Sequence, residues 1–60
     1  MSDLQKNIIS EIRKNPGRTV EDYAALYDHA PQAYHAIEWL IWNQYIKQNL
    51  ENGALSVRGE

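Results

Sequence analysis

Apolar residues recur along this chain with a helical period through most of its length and then shift to the alternation of a hairpin. From Asp3 to Lys14, Leu4, Ile8, Ile9 and Ile12 line one stripe while Lys6, Glu11 and Arg13 fall off it, which predicts an amphipathic helix. Ser2 stands at its N-cap position, and Gln5 completes a capping-box pattern. Arg13 and Lys14 occupy the last turn, where cations favour the helix dipole. Asn15-Pro16-Gly17 then stops the helix, because a residue before proline avoids the α region.

A second helix begins at Thr19, which has capping-box spacing to Asp22, and acidic Glu21 and Asp22 suit its first turn. Val20, Tyr23, Ala24 and Tyr27 form its apolar face, Leu26 lies beside it, and the helix is expected to end near Asp28. The small residues Ala24 and Ala25 would let another helix approach closely. Asp28-His29-Ala30 is a short connection in which Asp28 or His29 caps the next helix, with Pro31 in the first turn. The third helix is expected to run to about Gln44. Ala33, Ala36, Ile37, Leu40 and Ile41 make its inward face; His35, Glu38, Trp39 and Trp42 project mostly to the other side, with Tyr34 and Tyr45 at one flank.

The last stretch predicts a β-hairpin. Asn52-Gly53 is a strong short-range hairpin signal, since both central residues of a type I′ turn need positive φ. A two-residue turn there places Leu50 opposite Leu55 and Gln48 opposite Val57. A slip of one residue would exchange the two faces. The chain carries no internal repeat and no low-complexity stretch.

The order helix, helix, helix, hairpin, together with three short signatures, resembles winged helix-turn-helix domains of small bacterial and phage transcriptional regulators. The run Asn15-Pro16-Gly17-Arg18-Thr19-Val20-Glu21-Asp22-Tyr23-Ala24 is similar to their junction between helices 1 and 2. Ala30-Pro31-Gln32-Ala33 is similar to the start of their recognition helix, and Leu40-Ile41-Trp42-Asn43-Gln44-Tyr45-Ile46 to its end. The resemblance covers essentially the whole chain and implies a mainly α fold with a small β-hairpin, three helices plus a two-stranded wing in one domain over residues 1–60. It implies DNA reading by the third helix and the wing. Two departures stand out: Gln44 occupies a place where such families usually have Gly, and Tyr34, His35, Glu38, Trp39 and Trp42 stand where they usually show Arg, Lys, Ser, Thr or Asn.

Charge sharpens that second departure. The chain has six Lys and Arg against eight Asp and Glu, a net charge of −2. Lys6, Arg13, Lys14 and Arg18 precede Thr19, Lys47 and Arg58 flank the hairpin, and no Lys or Arg lies between Thr19 and Ile46, where Glu21, Asp22, Asp28 and Glu38 sit. DNA affinity comes mainly from cations at phosphates, so the presumed reading helix lacks the usual basic footprint. Its surplus of aromatics is of the kind that dominates protein interfaces. A helix apolar nearly all round needs cover on every side, more than so short a chain supplies.

The expected function is therefore a small regulatory adaptor in transcription or another DNA transaction. It would dock on a protein partner or on a second copy through Tyr34, His35, Glu38, Trp39 and Trp42. The alternative is a dimeric DNA-binding repressor in which Gln32 and His35 touch bases, Gln32 pairing with adenine, while Lys47 and Arg58 reach the backbone.

Other chemistry finds little footing. There is no cysteine, so neither a disulfide nor a thiolate site is available. His29 and His35 lack the spacing that puts two ligands on one helix face, so no metal and no cofactor are expected. No Gly-rich phosphate loop, nucleophile elbow or paired-carboxylate cleft points to catalysis, and the chain is not expected to be an enzyme. The apolar run Trp39-Leu40-Ile41-Trp42 is far too short to span a membrane, and no secretory leader follows Ser2-Asp3, which suits a cytoplasmic protein.

Overall fold

Two reciprocal capping boxes start the fold. In the computed structural model, which describes residues 1–59, the first helix, α1, runs Asp3–Lys14. The Gln5 N–H donates to Ser2 Oγ at 3.2 Å, and the Ser2 N–H donates to Gln5 Oε1 at 2.8 Å. The second helix, α2, spans only Val20–Ala24, capped by Thr19 and Asp22 in the same reciprocal way at 3.4 and 3.2 Å. The third helix, α3, covers Ala30–Trp42, and the strands β1 (Ile46–Gln48) and β2 (Leu55–Val57) form an antiparallel hairpin. The architecture is mainly helical, three helices plus a two-stranded hairpin in a winged-helix-like arrangement.

α2 ends earlier than the apolar pattern suggested. Full burial stops at Tyr23 and Ala24; Ala25 is exposed, Leu26 is 62% exposed, and beyond them only Tyr27 still packs, half-buried, against the core. The chain instead tightens: Leu26 N–H donates to the Tyr23 carbonyl and Tyr27 N–H to the Ala24 carbonyl, both three residues back. That returns Tyr27 to the edge of the core. Burial first, and the nearby Glu11 carboxylate second, raise the Tyr27 phenol above its ordinary pKa. His29 takes the N-cap position of α3, but neither it nor Asp28 supplies a side-chain capping bond; Pro31 sits in the first turn as expected.

α3 stops at Trp42, short of Gln44, in a Schellman motif. Gln44 N–H donates to the Ile41 carbonyl at 3.1 Å, and Tyr45 N–H donates to the Leu40 carbonyl at 2.9 Å. The motif requires a left-handed residue, and Gln44 supplies it with φ +64, the one positive φ among the described non-glycine residues. Gln44 thus supplies, without Gly, the left-handed conformation that this helix end requires.

The hairpin register also differs from the expected one. Ile46 faces Val57, Lys47 faces Ser56 and Gln48 faces Leu55, a shift of two residues that leaves Leu50 out of the ladder and 95% exposed at the tip. Asn49 N–H donates to the Ala54 carbonyl and closes a four-residue loop, in which Gly53 is left-handed and Asn52 is not. Asn49 and Asn52 act as Asx-turn acceptors, taking Glu51 N–H at 2.8 Å and Ala54 N–H at 2.9 Å. A shift of two preserves the faces of a strand. Leu55 and Val57 are buried with Ile46.

The register is held from the far side of β2. Leu55 N–H donates to the Arg18 carbonyl at 2.8 Å, and Gly17 N–H donates to the Leu55 carbonyl at 3.0 Å, so the α1–α2 connection lies along β2 like a third strand. Gly17, at φ +92, makes the turn that brings it there. The buried Tyr23 pins the same connection: its hydroxyl donates to the Asn15 carbonyl and accepts from Arg18 N–H at 3.3 Å. Ile8 and Ile12 of α1, Ala33, Ala36, Ile37 and Leu40 of α3, and the three buried hairpin residues meet in one core.

Candidate interaction surface

The core side of α3 is centred on Ala33, Ala36, Ile37 and Leu40, all buried. At about 100° per residue, Trp42 points almost directly away from that side, flanked by His35 and Glu38. Trp42 is 83% exposed, and His35 and Glu38 are exposed with it. Trp39 stands between this outer ridge and the core and is 40% exposed. Positions 35, 38, 39 and 42 are neighbours on one helix face. Neither tryptophan belongs to the core.

Tyr34 and Tyr45 do not share a flank. Tyr34 stands about 140° around the helix from Trp39 and is half-buried against the core. Tyr45 lies past the Schellman turn, 44% exposed, with its ring stacked on Trp39 at a centroid distance of 5.6 Å and an interplanar angle of 13°. Asn43 steadies the same turn by donating from Nδ2 to the Trp39 carbonyl at 2.8 Å.

The stack joins α3 to the hairpin, which the sequence pattern had left separate. Arg58 N–H donates to the Tyr45 carbonyl at 3.1 Å, extending the ladder by one pair. Side chains alternate along each strand, so Tyr45, Lys47, Ser56 and Arg58 share the face turned away from buried Ile46, Leu55 and Val57. No carboxylate lies among these four residues. Lys47 and Arg58, singled out as possible phosphate contacts, therefore do fall on one face, next to the aromatic stack. Gln32 and His35 are exposed near the start of α3, with no Lys or Arg on that helix. The signal for the aromatic junction was present only in the register: once Ile46 faces Val57, Tyr45 must face Arg58.

Among the described residues no group of three or more His, Cys, Asp or Glu is arranged to hold a metal ion. His29 lies at the N-terminus of α3 and His35 on its outer ridge. A shallow cleft beside the hairpin is lined by Pro16, Gly17, Lys47 and Ser56 among others, and a smaller one near Tyr23 by Glu11, Arg18 and Asp22. Neither is lined by any residue of the α3 outer ridge. No described helix is long and apolar enough to cross a membrane. Comparison with protein-family models, with curated proteins and with solved structures finds no match to this chain.

Proposed function

We propose that this protein is a small winged-helix regulatory adaptor of bacterial or phage type, working in the cytoplasm in transcription or another DNA transaction. It acts mainly by protein contact through the outer face of α3, with Trp39 and Trp42 as anchors and His35 and Glu38 around them, while Tyr34, half-buried against the core, only borders that face beyond Glu38. The observation that carries this reading is the exposure of both tryptophans on a helix that has no cation. Large aromatics in water on a rigid helix are costly to leave uncovered and are the residue types most often found at the centre of protein interfaces. A duplex-reading helix needs the opposite surface, polar donors with Lys or Arg at the phosphates.

A second reading, a dimeric DNA-binding repressor, is favoured by one observation: Lys47 and Arg58 lie on the same face of the hairpin as Tyr45 and Ser56, with no carboxylate among these four residues. An NMR amide titration with a mixed-sequence duplex at low and then higher salt separates the two. The adaptor reading expects α3 to stay silent even at low salt, where phosphate attraction is strongest. Salt-sensitive shifts at Gln32 and His35 together with Lys47 and Arg58 would overturn it in favour of the repressor.

A further inference from the structure

The exposed aromatic patch has a charge order that narrows what covers it. Around the helix axis Glu38 comes first, then Trp42, then Trp39; the Trp39 ring is stacked on Tyr45, and Tyr45 faces Arg58 across the hairpin. The patch therefore runs from an acid, over three rings, to a base. Neither Glu38 nor Arg58 has an ion-pair partner among the described residues.

Such a surface is complementary to itself. An isologous interface sets the same patch on both copies around a two-fold axis, so whatever lies on one flank meets what lies on the other. An axis through the Trp39–Trp42 ridge lays the rings of the two copies together and brings Glu38 of each copy over Arg58 of the other. We infer that the occupant of this face is a second copy of this chain, joined by an aromatic centre and two reciprocal Glu38–Arg58 pairs. This inference rests on the reading of α3 as a protein-docking face.

The area is of the right order. The exposed parts of Trp39, Trp42 and Tyr45 amount to roughly 400 Å², about half of the ~800 Å² that each partner of a standard interface contributes. His35, Glu38 and Arg58 surround them and supply a polar rim. The chain's small core gains from the association, since each copy then covers apolar surface that its own fold leaves wet.

The test is a charge swap read by sedimentation equilibrium from low micromolar to millimolar protein. Both residues are exposed, so Glu38→Arg and Arg58→Glu should each keep the wild-type pattern of dispersed amide signals. Each single variant is expected to raise the dimer dissociation constant about tenfold or more, and the double variant Glu38→Arg/Arg58→Glu to recover most of that loss. A wild-type chain that stays monomeric at millimolar concentration overturns the inference while leaving a foreign protein partner on α3 untouched. A double variant no tighter than the singles overturns the paired geometry. A Trp39→Ala/Trp42→Ala chain that still dimerises as the wild type does overturns both this inference and the α3 docking reading, because the contact then lies elsewhere.

Discussion

The two faces of α3 reverse the usual placing of side chains by size. Its inner face packs Ala33 and Ala36 beside Ile37 and Leu40, and all four are buried. Its outer face carries the two largest residues of the chain, Trp39 and Trp42, with nothing of the same chain over Trp42. The inner face is set by space: α2 and α1 both come against it, and alanines let their backbones approach closely. On the outer face Trp39 is held in part by its stack on Tyr45, whereas Trp42 meets no comparable constraint within the monomer, and it is the residue that the proposed contact would cover. The apolar content of a helix and its burial are separate quantities, and in α3 the mismatch between them falls at Trp42.

Truncating the inner face should have the largest effect. Leu40→Ala should cost about 2–5 kcal/mol, measured by chemical denaturation, because a fully buried side chain leaves a cavity. In so small a domain that approaches the whole stability. The buried polar link below α3 comes next. Tyr23→Phe removes a hydroxyl bonded to both Asn15 and Arg18 and leaves those groups to find water, an expected loss of about 1–3 kcal/mol. Amide exchange should show faster opening of residues 15–18 than in the wild type.

At the turn between the two faces the sign reverses. Gln44→Gly relieves a left-handed non-glycine residue and should raise stability by about 1 kcal/mol, seen as a higher denaturation midpoint with unchanged slope. The outer face should show the smallest effect on folding. Trp42→Ala is expected to change monomer stability by no more than about 0.5 kcal/mol at micromolar concentration, while abolishing the concentration dependence of the sedimentation profile. A loss comparable to that of Leu40→Ala would show that Trp42 belongs to the fold after all, and the contrast between the faces would disappear.

Much of the fold was legible in the residue order because its signals are local. The capping boxes at Ser2–Gln5 and Thr19–Asp22 each close within one helical turn, and Pro16-Gly17 and Pro31 act on their immediate neighbours. The inward set of α3 follows from periodicity alone. Among candidate site residues, the outward direction of His35, Glu38, Trp39 and Trp42 was readable in the same way, since a helix fixes the angular position of every residue it contains.

What remained hidden depends on partners far along the chain. The end of α2 was decided by which of its residues found a core to face. The hairpin register was decided by the α1–α2 connection, where Gly17 and Arg18 bond to the carbonyl and the N–H of Leu55 along the outer edge of β2, and by the joint burial of Ile46 and Val57; against these the turn preference of Asn52-Gly53 yielded a longer loop. That register in turn placed Arg58 beside Tyr45 and completed the surface that begins at Trp39. Capping and periodicity act over a few residues and are carried by the order of the chain itself. Register arises only when segments some forty residues apart, such as Gly17-Arg18 and Leu55, compete for the same hydrogen bonds and the same core, and that competition is settled in three dimensions.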